Sequence, residues 1–321
     1  MRTALGAERV VFGRKLATLW DGYGEIRRVA LEGVTRGQRI CESAIVKHVE
    51  PRSLGAASAA SQRSHRRKLR SYDVEQHFYA RYASRCSVNC RVAQPLHVER
   101  TASDWLFVLE DLDAAGFARR AAARELESCL LWLAAFHATF LGVPPASLWS
   151  VGTYWHLATR PDELEALDIP SLREHAARFD ECLSSARFQT LVHGDAKLDN
   201  FQVNAAGTAA AVDFQYVGGG AGIKDVAYLL SCLSPSECER SADAHLETYF
   251  RALRDALASR PDVDSDALER EWRALYPVAW ADFSRFLHGW AKGAYPFDAY
   301  SRKLTALAIA SVGAAAGPGL R

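Results

Sequence analysis

Short runs of branched and aromatic residues recur in the first hundred or so positions of the chain. Three of these runs, Ile26–Leu31, Ala44–Val49 and Trp105–Leu109, have the length and composition that are typical of strands. Within Tyr72–Tyr82, an apolar or aromatic residue recurs at every fourth position, which places these side chains on one face of a helix. The pattern predicts a β-rich segment that contains one helix.

The spacing of apolar residues changes to that of helices from Ala114 onward. The segment Leu126–Phe140 carries a wide apolar stripe, which indicates a buried helix. A hairpin-like island of short strands interrupts the helices, with runs at Thr190–Val192, Phe201–Val203 and Ala209–Phe214. The final third of the chain returns to helical spacing.

This order of elements predicts an α+β fold with two lobes. We place a small β-rich N-terminal lobe at residues 1–110, a hinge at Glu110–Leu112 and a large helical C-terminal lobe at residues 111–321. The Ala- and Gly-rich tail at residues 304–319 is expected to be a packed helix. With 321 residues, the chain is long enough for each lobe to bury a core of its own.

Composition and charge exclude several classes of protein. The formal net charge of +1 argues against a nucleic-acid partner that is held by bulk charge. The seven cysteines are scattered and include no Cys-x-x-Cys pair, which favours reduced thiols over a disulfide framework or a zinc site. The first twenty residues lack the apolar core of a signal peptide, and no apolar stretch is suited to span a bilayer. We therefore expect a cytoplasmic protein with no nucleic-acid or membrane partner.

The strongest chemical signal is a set of polar residues in the strand island. Asp195 and Asn200 stand five positions apart with Lys197 between them, and Asp213 follows an apolar strand. Phosphoryl transfer needs one carboxylate that orients the attacking hydroxyl group and accepts its proton. It also needs an amide oxygen and a second carboxylate that hold magnesium on the nucleotide phosphates. The spacing matches the Asp-x-x-x-x-Asn catalytic loop of protein kinases, which a metal-binding Asp follows.

These residues resemble those of the aminoglycoside phosphotransferase and choline kinase superfamily, which has a protein-kinase-like fold. Within it, the chain is most similar to the ecdysteroid-kinase-like (CHK kinase-like) branch. Four further segments carry this similarity: Ser71–Glu75, Leu133–Ala138, Gly220–Asp225 and Phe283–Trp290. The resemblance spans nearly the whole chain and implies an enzyme that moves the γ-phosphate of ATP, with Mg²⁺ as cofactor, to a hydroxyl group of a small molecule. It also implies that ATP binds in the cleft between the lobes.

The resemblance implies a role for each matched residue of the predicted C-terminal lobe. Asp195 would be the catalytic base, and Asn200 and Asp213 would be the magnesium ligands. Lys197 would lie near the transferred phosphoryl group and offset its developing charge. Asp225 would brace the catalytic loop by accepting hydrogen bonds from its backbone.

The resemblance also implies nucleotide contacts in the predicted N-terminal lobe. Lys47 would hold the nucleotide phosphates, and Glu75 on the following helix would pair with it. The turn that contains Gly22 and Gly24 would cover the phosphates. The backbone of Glu110–Leu112 would meet the adenine edge.

Three features depart from known nucleotide-binding motifs. Arg27 stands where Gly-x-Gly-x-x-Gly has its third glycine, and Gln215 replaces the glycine of Asp-Phe-Gly. The second change argues against switching by an activation loop but not against metal binding by Asp213. The glycine-rich segment 218–222 lacks the spacing of a Walker loop, so we interpret it as a flexible turn.

A pseudokinase scaffold and a nucleic-acid binder are the alternatives to the enzyme. A nucleotide-binding pseudokinase that acts as a scaffold should lack at least one of the residues that carry the chemistry, and all of them are present: Lys47, Asp195, Asn200 and Asp213. The basic run Arg63–Arg70 could bind RNA, but we interpret it as a solvated loop that enters a helix.

The sequence leaves three classes of phosphoryl acceptor open: a choline-like amine, an aminoglycoside-like antibiotic and a steroid-like alcohol. Carboxylates should line an aminoglycoside pocket, and four residues are candidates that would equally fit a solvated helix face: Glu237, Glu239, Asp243 and Glu247. The sequence also leaves open the choice between ATP and GTP and the oligomeric state.

Overall fold

The chain folds into two units, each of which buries its own apolar residues. The first unit comprises residues 1–120 and 202–215, and the second comprises residues 121–201 and 216–321. The structure is a computed structural model that describes residues 8–32, 42–51 and 58–314.

A five-stranded antiparallel sheet forms the centre of the first unit. Its strands are β1 (Arg9–Thr18), β2 (Gly24–Glu32), β3 (Ser43–Val49), β5 (Pro95–Arg100) and β6 (Trp105–Glu110), in the spatial order β1-β2-β3-β6-β5. The strands predicted at Ile26–Leu31, Ala44–Val49 and Trp105–Leu109 are confirmed as β2, β3 and β6. Neither β1 nor β5 was predicted, because nearly every residue of β1 is exposed and β5 has no fully buried residue to produce an apolar pattern.

Helix α1 (Ala59–Arg81) is the long helix of the first unit. It begins after Ser58, whose side chain accepts a hydrogen bond from the backbone N–H of Ser61 at 3.2 Å. The interpretation of Arg63–Arg70 as a solvated loop is wrong, because the whole run lies inside this helix. Arg and Lys have high helix propensity, and the buried face that follows, with Val74 and Phe78, anchors the helix.

A smaller sheet brings a late part of the chain into the first unit. Its strands are β4 (Arg91–Val92), β7 (Arg119–Arg120), β9 (Phe201–Val203) and β10 (Ala209–Ala211), in the order β4-β10-β9-β7. The turn between β9 and β10 is closed by Asn204, whose Oδ1 accepts from the N–H groups of Ala206 and Thr208. The predicted strand Ala209–Phe214 ends at Ala211, because Asp213 adopts a left-handed conformation with φ of 69°.

Helices make up most of the second unit. They are α2 (Leu126–Phe140), α3 (Pro161–Ala166), α4 (Pro170–Ser184), α5 (Ile223–Leu230), α6 (Pro235–Leu257), α7 (Ser265–Trp290) and α8 (Ala299–Ala314). The predicted helix at Leu126–Phe140 is confirmed. The helix predicted for the tail is confirmed from residue 304 to residue 314, within α8, and residues 315–319 lie outside the described residues. Among the helices described, none has the length and apolar character to cross a membrane.

Two short strands pair within the second unit, β8 (Thr190–Val192) and β11 (Gly218–Gly220). Val192 pairs with Gly218 and Thr190 with Gly220 in antiparallel register. The interpretation of residues 218–222 as a flexible turn is therefore wrong for its first three residues. A Cβ atom on Gly218 would lie 2.3 Å from the carbonyl oxygen of Trp149, so close backbone packing requires glycine here.

Candidate active site

The loop from His193 to Asn200 gathers three of the predicted site residues within the second unit. The side-chain amide of Asn200 donates to the backbone oxygen of Asp195 at 2.8 Å and to its Oδ2 at 2.9 Å. Lys197 Nζ lies 3.4 Å from the same Oδ2. Asp195 is only 8% exposed, so its carboxylate is held by these donors rather than by bulk water.

The orientation of Asn200 follows from its two contacts. Both partner atoms are acceptors, so they require the NH₂ group of the amide. The amide oxygen of Asn200 is then the atom that can bind a cation, and it is the hard ligand type that Mg²⁺ prefers.

Asp225 holds the backbone at the start of this loop. Its Oδ2 accepts from the N–H of His193 at 2.6 Å, and its Oδ1 accepts from the N–H of Gly194 at 2.9 Å. The ring of His137 adds a contact of 3.1 Å to Oδ2. Gly194 has φ of 79°, and a Cβ atom there would lie 2.1 Å from the carbonyl oxygen of Tyr216. The loop is therefore fixed by a buried carboxylate and by a glycine.

Tyr228 is a neighbour of Asp195 that the sequence analysis missed. Its hydroxyl group donates to Oδ1 of Asp195 at 3.2 Å. Burial, followed by the charge of Asp195, raises the pKa of Tyr228, so the phenol keeps its proton and stays a donor. Tyr228 follows Asp225 by three positions on α5, which puts both residues on one helix face. This spacing is the sequence signal that could have found it.

Lys47 and Glu75 meet in the first unit. Lys47 Nζ lies 2.6 Å from Glu75 Oε2, and both side chains are buried. Burial raises the pKa of Glu75 to about 7. Burial also acts to lower the pKa of Lys47, but the carboxylates of Glu75 and Asp213 outweigh it and raise that pKa above its ordinary value. Lys47 therefore remains a cation.

Asp213 lies near the same lysine, also within the first unit. Its Oδ1 is 3.9 Å from Lys47 Nζ and accepts a hydrogen bond of 2.7 Å from the side-chain amide of Gln215. The side chain of Asp213 is 36% exposed, so a carboxylate oxygen can reach a ligand in solvent. The first unit thus groups Lys47, Glu75 and Asp213, and the second groups Asp195, Lys197 and Asn200.

The residues predicted to hold Mg²⁺ have suitable chemistry for it. Asn200 offers an amide oxygen and Asp213 a carboxylate, and both are hard oxygen donors. In the described ranges, no three or more His, Cys, Asp or Glu side chains cluster as a metal site. Two protein ligands suit an ion that keeps its waters and binds phosphate oxygens rather than a closed protein cage.

The two predicted glycines lie where β1 turns into β2, with Gly22 in the turn and Gly24 as the first residue of β2. Gly22 ends a 3-10 turn with φ of 69°, and Gly24 has φ of 139°. A Cβ atom on Gly24 would lie 2.0 Å from the carbonyl oxygen of His48, so only glycine fits there. Two residues of α1 hold the turn: Lys68 forms an ion pair with Asp21, and His65 Nδ1 lies 2.5 Å from the hydroxyl group of Tyr23.

The segment predicted to meet adenine starts at the end of β6. The carboxylate of Glu110 contacts Arg91 Nη2 at 2.5 Å and accepts from the N–H of Gln94 at 3.0 Å. The carbonyl oxygen of Leu112 accepts from the N–H of Phe117 at 2.8 Å. The side chain of Glu110 is thus committed to structure, and an adenine contact by the backbone of this segment stays a prediction.

The small antiparallel sheet with one long helix and the large helical unit define a two-lobed protein-kinase-like fold. The fold agrees with the amicoumacin kinase hAmiN in complex with AMP-PNP, Ca²⁺ and Ami, with a TM-score of 0.52 and 17% identity over 94% of this chain and 88% of that one. It also agrees with a proposed aminoglycoside phosphotransferase from Ralstonia eutropha JMP134, with a TM-score of 0.52 and 13% identity over 97% of this chain and 93% of that one.

The family follows from the sequence comparison. The model of the phosphotransferase enzyme family, APH, matches residues 37–261, which is more than half of the chain. The chain belongs to this family. No curated protein matches the sequence. The resemblance to the ecdysteroid-kinase-like branch and the role of each residue stay predictions.

Proposed function

We propose that the protein transfers the γ-phosphoryl group of ATP to a hydroxyl group of a small molecule. The observation that carries the proposal is the buried carboxylate of Asp195, on which Asn200, Tyr228 and Lys197 converge. A carboxylate held in this way can orient a hydroxyl group and accept its proton. Membership of the phosphotransferase enzyme family supports the reaction type.

The residues divide the work of the transfer. Asp195 accepts the proton of the acceptor hydroxyl group, and Lys197 offsets charge that develops on the phosphoryl group. Lys47 holds nucleotide phosphates, and its ion pair with Glu75 fixes its position. Asn200 and Asp213 would hold Mg²⁺, which when bound neutralises charge on the phosphate oxygens. Positioning and charge stabilisation supply most of the rate.

The proposal is tested by ATP turnover with Mg²⁺ against a panel of small alcohols. Asp195→Asn keeps the shape of the side chain and removes the base, so we expect kcat to fall about a thousandfold while nucleotide binding persists. Asp199→Asn is the matched control, because this carboxylate is exposed on the same loop. If both variants behave alike, Asp195 is not the base. If the wild-type protein binds no nucleotide, the proposal is wrong.

The surroundings of Asp195 bear on the acceptor. Two of the carboxylates considered for an aminoglycoside pocket are engaged elsewhere: Glu237 caps α6 through Ser234, and Glu247 pairs with Arg273. The ring of Tyr154 lies 5.5 Å from that of Tyr228. An aromatic environment favours an acceptor with an apolar face over a polycation. The panel should therefore contain apolar alcohols beside choline and aminoglycosides, and preferential turnover of an aminoglycoside would contradict this preference.

The two rival functions make different predictions. A scaffold would bind nucleotide and show no turnover with any acceptor. A nucleic-acid binder that uses Arg63–Arg70 would bind RNA or DNA with a steep dependence on salt. The position of this run inside α1, with Lys68 paired to Asp21, argues against the second rival. We expect no RNA or DNA binding at low salt.

A further inference from the structure

Gln215 occupies the position at which the Asp-Phe-Gly pattern has glycine, and its side chain has a partner at each end. Its Nε2 donates to Oδ1 of Asp213 at 2.7 Å. At the other end, the hydroxyl group of Ser71 donates to its Oε1 at 3.0 Å. Ser71 lies on α1, so two hydrogen bonds connect this helix to the carboxylate predicted to hold Mg²⁺.

The chemistry of the partners fixes the direction of this chain of hydrogen bonds. A carboxylate can only accept, so the NH₂ end of the Gln215 amide must face Asp213. The amide oxygen must then face Ser71, whose hydroxyl group supplies a proton. The same hydroxyl group also lies 2.8 Å from the carbonyl oxygen of Lys68, so the two acceptors share one proton. Replacing Ser71 should therefore weaken the hold on Gln215 without abolishing it.

Among the described residues, the contacts of Asp213 fall on one of its two carboxylate oxygens. Both Gln215 Nε2 and Lys47 Nζ approach Oδ1, at 2.7 and 3.9 Å. Oδ2 is thus the oxygen left to face a cation. Without the bond from Gln215, the side chain of Asp213 could rotate, and the lysine at 3.9 Å would be a weak restraint.

The same face of α1 positions the phosphate-binding lysine. Ser71 and Glu75 are four positions apart, which places them on one side of the helix. Glu75 holds Lys47 while Ser71 holds Gln215. The rings of Phe78 and Phe214 stack with centroids 3.9 Å apart, which fixes the residue between Asp213 and Gln215.

We propose that Gln215 is a positioning residue that fixes Asp213 with Oδ2 toward Mg²⁺, and that Ser71 orients the amide of Gln215. The side chain of Gln215, hydrogen-bonded to Asp213 and Ser71, thus stands at the position where Asp-Phe-Gly has a glycine. The proposal rests on the proposed function, because it needs a nucleotide that binds together with Mg²⁺.

Calorimetry of AMP-PNP binding, with Mg²⁺ titrated and with EDTA, tests the proposal apart from turnover. Gln215→Met keeps the length of the side chain and removes both hydrogen bonds. We expect it to raise the Mg²⁺ concentration for half-maximal enhancement of binding about tenfold, since a hydrogen bond to a charged group contributes on that order. Affinity in EDTA should stay at the wild-type value. Ser71→Ala should shift the same quantity about threefold, because it loses only the outer bond.

Gln202→Met is the matched control. Gln202 donates from its amide to Oδ1 of Asp113 at 2.9 Å, which is the same kind of bond in the same unit. We expect no change in the Mg²⁺ dependence of this variant. Thermal unfolding reports whether each variant is folded. If Gln215→Met does not fold, the Mg²⁺ dependence of AMP-PNP binding by Ser71→Ala tests the proposal.

Two outcomes would overturn the proposal. In the first, wild-type affinity depends on Mg²⁺ but the Gln215 and Ser71 variants match Gln202→Met. In the second, the variants lose affinity equally with and without Mg²⁺, which indicates a general structural defect. A wild-type protein that binds no AMP-PNP would overturn the proposed function and this proposal together.

Discussion

Tyr228 shows what a single hydroxyl group can contribute beside Asp195. Tyr228→Phe removes only the donor to Oδ1, which is 3.2 Å away. We expect kcat to fall about tenfold, because a hydrogen bond to a charged group contributes roughly 1.5–3 kcal/mol. The KM for ATP should not change, since the lost bond is to the base. Steady-state kinetics measure both values.

The control for this variant is Tyr300→Phe. Tyr300 contributes its hydroxyl group to a bond of 3.1 Å with Tyr276, so the same atom is deleted without any change at Asp195. Equal losses of kcat in both variants would show that Tyr228 acts through stability alone.

Substitutions of Gly24 and Gly22 distinguish the cost of close packing from the cost of a positive φ where β1 turns into β2. Both have positive φ, but only Gly24 would place a Cβ atom against backbone, 2.0 Å from the oxygen of His48. Gly24→Ala should reduce the free energy of unfolding by about 3 kcal/mol and weaken nucleotide binding. Gly22→Ala should cost about 1 kcal/mol, from its conformation alone. Urea unfolding measures both, and equal losses would contradict the argument.

At the scale of elements, helix α1 connects several parts of the first unit. Four polar side chains at helical spacing contact three segments. His65 and Lys68 contact Tyr23 and Asp21 in the turn between β1 and β2, Ser71 contacts Gln215, and Glu75 contacts Lys47. One helix thus orders the glycine turn, the lysine and the carboxylate. This arrangement gives the basic run of the sequence a role inside the protein.

Strand β11 depends on the absence of side chains. Gly218→Ala would bring a Cβ atom within 2.3 Å of the Trp149 carbonyl oxygen and 2.9 Å of Gly152 Cα. We expect a loss of about 3 kcal/mol in the free energy of unfolding, because neither neighbour is a movable side chain. Gly313→Ala, on helix α8 with nothing within 4 Å of the added Cβ, should instead gain about 0.5 kcal/mol. If denaturant unfolding shows that both variants change the free energy of unfolding in the same direction, this account is wrong.

At the scale of the whole molecule, binding of nucleotide with Mg²⁺ should stabilise the folded state. A ligand at a hundred times its Kd adds about 2.7 kcal/mol, which corresponds to a rise of several degrees in Tm. We expect this rise with AMP-PNP and Mg²⁺, and a smaller one in EDTA. Asn200→Ala should lose only the part that depends on Mg²⁺. An equal rise with and without the metal would argue against Asn200 as a ligand.

The elements that the sequence predicted are those with a buried face. Leu126–Phe140 and the strands β2, β3 and β6 combine apolar residues at regular spacing, and the structure confirms them. Strand β1 was missed because its residues are mostly exposed, so backbone pairing with β2 rather than burial defines it. The glycines of β11 produce no apolar pattern in the sequence, because they fit the close backbone packing by having no side chain.

The sequence by itself determined the contacts that are close along the chain. Asp195, Lys197 and Asn200 meet because one short loop carries them, and its spacing is visible in the residues. Only the tertiary structure decided that residues 202–215 belong with the first unit and that Ser71 meets Gln215, 144 positions away. Local geometry follows from chain connectivity, whereas distant contacts depend on how whole elements pack, which no short motif records.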